Sequence, residues 1–289
     1  MAMAGLGLVL GGGGLLCAAE LGVLQALRDW GIAPAVVTGC SGGGIIAGAL
    51  GAGVPLDAVT ATLRIVSARP SRYGLGDVPA LEDVFREGAT PGLWSLQTVL
   101  EDLLLHATAE TLGQWAPGYG VTATSVGAGT SVAFTAGQGA LESTLAVLQA
   151  TSAFPFLFQG VRAPGGDLYQ DGGILDNVPA GLAVNLGADR LLAVSFAGAA
   201  SAVPARLGPI DILYRSVNVA LRAAQRQPPD VPTVTLRPTL PDGAWLLSFS
   251  LFDPLVQAGY AAAVAARTDI EALVAANPTR DATWAARPT

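Results

Sequence analysis

Residues 39–43 form the segment Gly39-Cys40-Ser41-Gly42-Gly43, which contains the pattern G-x-S-x-G. Glycines two positions before and two positions after a serine allow a tight strand-to-helix turn that leaves the serine hydroxyl exposed. The N-terminus of the following helix adds a partial positive charge, which favours negative charge that develops nearby. Ser41 is therefore a candidate nucleophile. The alternative is a glycine-rich crossing of a strand and a helix without any chemistry.

Four consecutive glycines, Gly11 to Gly14, follow the apolar run Leu6–Leu10 and are called the glycine loop below. Their backbone N–H groups can turn toward one point and bind an anion or an oxyanion. A dinucleotide-binding loop fits less well, because Cys17 occupies the third glycine position and the ribose-binding acid expected about 20 residues further on is missing. A P-loop is excluded because the sequence contains no lysine. An ordinary tight turn remains the alternative.

A third segment, Asp171-Gly172-Gly173, follows the predicted strand Leu168–Gln170. An aspartate at a strand end can hold its carboxylate in a cleft beside a serine. Taken alone, an Asp-Gly-Gly sequence is more typical of an Asx turn at a strand terminus.

The single histidine, His106, limits the mechanism. An α/β-hydrolase has its histidine after both the serine and the acid in the chain, and no histidine follows His106. His106 ends an amphipathic helical pattern, so we expect it at a helix end or on the surface. The base for Ser41 is then a carboxylate, which gives a dyad in place of a triad. One histidine also excludes a multi-histidine metal site, and we predict neither a metal nor an organic cofactor.

Together, the three segments resemble the patatin-like phospholipase family, most of all its bacterial members related to neuropathy target esterase. The resemblance covers roughly residues 5–275. Further matching segments are Gly22-Val23-Leu24, Ala150–Pro155, Gly172–Pro179 and Gly259–Ala262.

This resemblance implies a three-layer α/β/α fold with a central, mostly parallel sheet. It also implies a serine acyl hydrolase, similar to a lipolytic esterase or phospholipase A, that cleaves lipid or small esters through an acyl-enzyme. An acyltransferase with the same dyad, or a catalytically weakened lipid-binding or regulatory member, are the alternatives. The implied site residues are Ser41 and Asp171 as nucleophile and base, Gly12, Gly13 and Gly14 as the oxyanion hole, Gly39, Cys40, Gly42 and Gly43 as the nucleophile elbow, and Gly172 and Gly173 as supports of the aspartate.

Two positions depart from the family's pattern. Leu16 stands where the family usually has an arginine, and Glu20 stands where it often has a histidine. Loss of a cation beside the glycine loop weakens the case for a phosphate headgroup, because guanidinium groups bind phosphate by charge-assisted hydrogen bonds. Neutral esters become more plausible substrates.

Alternating short apolar runs, glycine turns and helical patterns predict a parallel α/β sheet that positions these segments. The predicted strands are Leu6–Leu10, Ala35–Thr38, Val121–Ser125, Ser131–Thr135, Leu168–Gln170, Leu191–Phe196 and Thr233–Leu236. The predicted helices are Cys17–Trp30, Ile45–Leu50, the region from Pro55 to His106, Leu141–Ala150, Ile212–Ala224 and Leu255–Val274. We expect one domain over residues 1–276 and a loosely packed tail over residues 277–289.

Composition limits the partners. Apolar residues make up 51% and charged residues 13% of the chain, which excludes a disordered protein. The net charge of −7 argues against nucleic-acid partners and against electrostatic docking on anionic lipid. Two cysteines suit a reducing compartment, so we expect a cytoplasmic protein. The sequence makes no prediction of oligomeric state.

Two features bear on contact with membranes. Residues 1–19 and 31–56 carry no charge, but glycines and prolines interrupt them, which favours buried strands and helices over membrane spans. The leucine face of Trp94–Leu104 is compatible with a lid that touches a membrane surface transiently, although a helix packed on the core has the same pattern and is favoured.

Overall fold

An eight-stranded mixed sheet lies at the centre of the computed structural model, which describes residues 5–75, 94–196 and 229–276 together with positions 212, 215, 216 and 219. The sheet order is β5-β6-β3-β2-β1-β7-β8, and β4 pairs with β3. The pairs β3–β2, β2–β1, β1–β7 and β7–β8 are parallel, whereas β3–β4, β3–β6 and β5–β6 are antiparallel. The strands are β1 Gly5–Leu10, β2 Val36–Cys40, β3 Tyr119–Ser125, β4 Thr130–Thr135, β5 Val161–Arg162, β6 Leu168–Asp171, β7 Ala188–Val194 and β8 Thr233–Leu236.

Helices cover both faces of this sheet, because side chains on successive residues of a buried strand point to opposite faces. On β1, Leu8 and Leu10 join the largest buried cluster with residues of α1 and α2, whereas Val9 packs in a second cluster with α6. The helices are α1 Ala18–Asp29, α2 Ser41–Gly51, α3 Leu56–Ala68, α4 Gln97–Leu104, α5 Thr144–Thr151, α6 Ala180–Asn185, α7 Phe252–Ala265 and α8 Arg267–Ala275. This architecture confirms the predicted α/β/α fold class.

Most predicted elements are present within one to three residues of their expected bounds. Two short elements, β5 and α6, were not predicted, and the expected helix Leu255–Val274 is divided into α7 and α8 at Ala266. The predicted helix Ile212–Ala224 falls mostly outside the described residues, although its four described positions are helical. Residues 76–93 of the predicted helical region from Pro55 to His106 also lie outside the described residues. The predicted tail, residues 277–289, also lies outside them. Among the described helices, none combines the length and apolarity needed to cross a lipid bilayer.

Helices α1 and α7 cross at two glycines, Gly22 and Gly259. A Cβ atom at Gly22 would collide with the backbone carbonyl of Val256, and one at Gly259 would collide with the carbonyl of Ala19. Because the colliding atoms belong to the backbone, no side-chain rotation can relieve either clash. The close crossing holds α1, and therefore the glycine loop that precedes it, against the sheet.

We expect Gly259→Ala to lower the free energy of unfolding by about 1–3 kcal/mol or more, because the added methyl group forces the two helices apart. Gly181→Ala is the matched control, since Gly181 also lies in a helix but has open space around its Cβ position. There the better helix propensity of alanine should stabilise the protein by up to about 1 kcal/mol. Denaturant-induced unfolding measures both, and equal effects of the two substitutions would contradict the close crossing.

Candidate active site

Ser41 and Asp171 lie side by side because two strands end at the same place on one edge of β3. The other edge of β3 is filled by β4, so β2 and β6 must share the remaining edge. In that register, Cys40 at the end of β2 is opposite Thr122, and Asp171 at the end of β6 is opposite Ala123. The residue that follows β2 is Ser41, which therefore leaves the sheet beside Asp171.

The Ser41 hydroxyl donates a hydrogen bond to the Asp171 carboxylate, with Oγ 2.6 Å from Oδ2. This distance is typical of a charge-assisted O–H···O⁻ bond. The second carboxylate oxygen, Oδ1, accepts the backbone N–H of Gly173 at 2.7 Å. Ser41 is 8% exposed and Asp171 is 1% exposed, so the pair is almost completely shielded from water. The two predicted catalytic residues thus form one hydrogen-bonded unit, although they are 130 residues apart in the chain.

Ser41 occupies a strained turn between β2 and α2. Its φ of 54° lies in the left-handed region, which costs a non-glycine residue roughly 1–3 kcal/mol. Cys40 before it is extended, with φ −136° and ψ 143°, and α2 begins at Ser41 itself. The Ser41 N–H donates to Thr151 Oγ1 at 3.2 Å, and that hydroxyl donates to the Thr122 carbonyl at 2.6 Å. Thr151 therefore anchors the strained turn, a role that no sequence pattern identified.

The glycine loop passes directly over the start of α2. A Cβ atom at Gly43 would lie 2.7 Å from the carbonyl oxygens of both Leu10 and Gly11, so only glycine permits this approach. A Cβ atom at Gly12 would lie 3.0 Å from the Cβ of Ser41. The loop and the nucleophile elbow are thus in contact.

The amides of the glycine loop do not all have the expected role. The N–H of Gly12 donates to the Asn177 carbonyl at 2.9 Å, and the Gly12 carbonyl accepts Asn177 Nδ2 at 3.1 Å. This geometry contradicts the prediction that Gly12 is an oxyanion donor, since its N–H is already bonded. The N–H groups of Gly13 and Gly14 have no hydrogen-bond partner among the residues that the structure describes, and they stay candidates for that role.

Burial raises the pKa of Asp171 from 3.8 to about 6, because the low-dielectric surroundings disfavour the charged form. Hydrogen bonds from Ser41, Gly173 and Cys40 stabilise the carboxylate and keep the pKa from rising further. At neutral pH the carboxylate is therefore mostly ionised and able to accept a proton. A base with a pKa close to the working pH is well matched to general base catalysis.

The two departures from the family's pattern, Leu16 and Glu20, are both buried beside the glycine loop. Glu20 is 0% exposed, and neither carboxyl oxygen has a hydrogen-bond partner among the described residues. Its Oε2 lies 2.8 Å from the position that a Cβ atom at Gly43 would occupy, which places the carboxyl group directly beneath the elbow. Burial raises the pKa of Glu20 well above its ordinary value, which favours the neutral acid.

The structure also locates the other side chains that the sequence singled out. His106 is exposed on the turn after α4, and Cys17 and Cys40 are free and buried. Helix α4 buries Val99, Leu100 and Leu103, which confirms a helix packed on the core. The described residues contain no cluster of three or more histidine, cysteine or acidic side chains that could hold a metal ion.

A family model described as patatin-like phospholipase matches residues 8–184, which is more than half of the chain. No curated protein gives a significant match. Among solved structures, the chain is similar to VipD from Legionella pneumophila, with 14% identity and a TM-score of 0.41, over 90% of this chain and 67% of that chain.

We expect Glu20→Gln to weaken the pH dependence of stability. The folded state raises the pKa of Glu20 above its unfolded value, so the folded state binds the proton more tightly. The native protein should therefore lose stability as pH rises above about 4.3, at up to roughly 1.4 kcal/mol per pH unit until the folded pKa is reached. Glu20→Gln removes this loss, so its stability relative to the native protein should increase with pH.

Unfolding in denaturant at about pH 5 and about pH 8 measures this difference. Glu110→Gln is the matched control, because Glu110 is exposed and the same substitution there removes a solvated charge. An identical pH dependence for the two variants would show that the Glu20 carboxyl is ionised without cost in the folded protein.

Proposed function

Because the chain belongs to the patatin-like phospholipase family, we propose that it is a serine acyl hydrolase that cleaves carboxylic esters of lipids through an acyl-enzyme on Ser41. Membership of the family supports lipid esterase or phospholipase activity in general. The observation that carries the specific proposal is the 2.6 Å hydrogen bond from Ser41 Oγ to the buried Asp171 carboxylate.

The first half of the proposed reaction forms the acyl-enzyme. Asp171 Oδ2 accepts the hydroxyl proton of Ser41 while Oγ attacks the ester carbonyl carbon. The carbonyl oxygen becomes an oxyanion, which the unbonded N–H groups of Gly13 and Gly14 are suited to stabilise. The intermediate then collapses, the C–O bond of the ester breaks, and the departing alcohol takes the proton from Asp171.

The second half releases the acid and restores the site. Asp171 accepts a proton from a water molecule, whose oxygen attacks the carbonyl carbon of the acyl-enzyme. The same N–H groups stabilise the second oxyanion. When this intermediate collapses, Ser41 Oγ leaves and recovers its proton from Asp171, and a carboxylic acid is released. Each half moves one proton onto Asp171 and off again, so one group with a pKa of about 6 is sufficient for both.

Strain at Ser41 also supports the proposal. The left-handed backbone at position 41 is held by Thr151 and costs folding energy that packing elsewhere must offset. Such strain is concentrated at functional sites, because it keeps a side chain in a position that a relaxed turn would not allow. Here the strained residue is the one whose hydroxyl donates to Asp171.

We expect Ser41→Ala to abolish hydrolysis of p-nitrophenyl butyrate, because the variant lacks the nucleophile. Asp171→Asn should lower the rate by about 10²–10⁴-fold, because the amide cannot accept the proton. A fluorophosphonate probe should label the native protein at Ser41, as peptide mass spectrometry can establish, and circular dichroism should report a native fold for both variants.

The chain contains a matched control pair, since Ser125 Oγ also donates to the Asp167 carboxylate outside this site. Ser125→Ala and Asp167→Asn should keep most of the native activity. Full activity of Ser41→Ala would remove the proposed mechanism. Absence of labelling in the folded native protein would instead favour a non-catalytic member of the fold.

A further inference from the structure

The buried carboxylate of Asp171 needs hydrogen-bond donors on both of its oxygens, because an uncompensated charge in a site shielded from water is costly. Oδ2 accepts the Ser41 hydroxyl, and Oδ1 accepts the Gly173 N–H. A third group, the thiol of Cys40, lies with its Sγ 3.7 Å from Oδ1. This is within the range of a weak S–H···O hydrogen bond.

The fold brings Cys40 to this position by strand register. Cys40 and Asp171 are the last residues of β2 and β6, which meet on the same edge of β3. Cys40 is 0% exposed, so water does not compete for its S–H group. In the pattern G-x-S-x-G the position of Cys40 is left open, so the contact is a property of this chain. Burial alone does not explain the contact between the Cys40 thiol and the carboxylate.

We propose that Cys40 is a positioning residue for the base: its S–H donates to Asp171 Oδ1 and, together with the Gly173 N–H, holds Oδ2 toward Ser41 Oγ. The inference rests on the proposed function, because it assigns a role toward the same dyad. It adds that the Cys40 thiol is one of the hydrogen-bond donors that stabilise the ionised Asp171. Substitution of Cys40 can remove this donor.

Two properties of the site fit this role. Burial raises the pKa of the Cys40 thiol well above its ordinary value, and the nearby Asp171 charge raises it further, so the thiol keeps its proton. The elements packed on Asp171 otherwise present uncharged groups: Thr124 of β3 donates to the Asp171 backbone carbonyl, and Thr151 lies at the end of α5. Among the described titratable groups, the Cys40 thiol faces the Asp171 carboxylate, and the charge of Asp176 raises the pKa of that thiol.

The thiol stabilises one of the two protonation forms of Asp171, and this determines the direction in which the pKa of Asp171 moves when the thiol is removed. An S–H donor favours the ionised carboxylate and lowers the pKa of Asp171. Without it, the pKa of Asp171 must rise above about 6, and the acidic limb of the pH–rate profile moves to higher pH. A weak hydrogen bond corresponds to a displacement of about 0.4 to 1 pH unit.

The experiment measures kcat/KM for p-nitrophenyl butyrate across the acidic limb for the native protein and three variants. Cys40→Ala removes the donor and should move the limb upward by about 0.4 to 1 unit. Cys40→Ser keeps an O–H donor and should leave the limb at or below its native position. Cys17→Ala is the matched control, because Cys17 is a buried thiol of the same elbow region that donates to the Gly11 carbonyl and not to Asp171. Its limb should coincide with the native one.

An unchanged limb in Cys40→Ala would overturn the inference, as would equal upward displacement in Cys40→Ala and Cys40→Ser, which would point to a packing effect. If Cys40→Ala does not fold, the comparison of Cys40→Ser with the native protein decides: a limb above the native position overturns the inference.

Ser41→Ala is measured in parallel. If Ser41→Ala retains activity, the proposed function itself fails; if it is inactive and the Cys40→Ala limb stays in place, only the role of Cys40 fails.

Discussion

The edge of β3 that β2 and β6 share determines where Ser41 and Asp171 lie. β4 occupies the opposite edge along its whole length, so β2 and β6 run toward each other on the remaining edge and stop at adjacent positions, Thr122 and Ala123. The chain must then leave the sheet at Ser41, and the carboxylate of Asp171 must face it. Other parts of the structure hold these residues in place. The α1–α7 crossing holds the glycine loop over Ser41, and Thr151 accepts a hydrogen bond from the Ser41 N–H in the turn.

Burial acts on two acids of this region with different results. Asp171 is surrounded by donors from Ser41, Gly173 and Cys40, which offset part of the desolvation cost and leave a pKa of about 6. Glu20 lies beneath the same elbow without a hydrogen-bond partner among the described residues, and its pKa rises well above the ordinary value. The raised pKa favours the neutral form of Glu20, and in that form the side chain adds no negative charge beneath the glycine loop.

Glycine turns and apolar runs are local signals, so they were sufficient to predict a parallel α/β sheet and the strand–turn–helix units around Ser41. The pairing of Ser41 with Asp171 was expected from the family resemblance, and its catalytic role stays a prediction. The sequence-based predictions failed where a role depends on partners distant in the chain. The Gly12 N–H bonds to the Asn177 carbonyl, and Thr151 anchors the elbow. The spacing of residues in the sequence predicts neither contact. The short β5 and α6 carry too few residues for a periodic pattern, and α2 starts at Ser41, through glycines with poor helix propensity, because the close contact with the loop outweighs propensity.

Titration of the Asp171 carboxyl group would show whether this buried carboxylate is hydrogen-bonded to Ser41 in solution. Carbon-13 NMR of aspartate-labelled protein can follow this group, whose resonance is identified by its absence in Asp171→Asn. A hydrogen-bonded base in a buried dyad predicts a midpoint at about pH 6 in the native protein and a higher midpoint in Ser41→Ala, which lacks the hydroxyl donor. A native midpoint near the ordinary value of 3.8, or one that Ser41→Ala leaves unchanged, would show that Ser41 and Asp171 do not form a buried hydrogen-bonded pair.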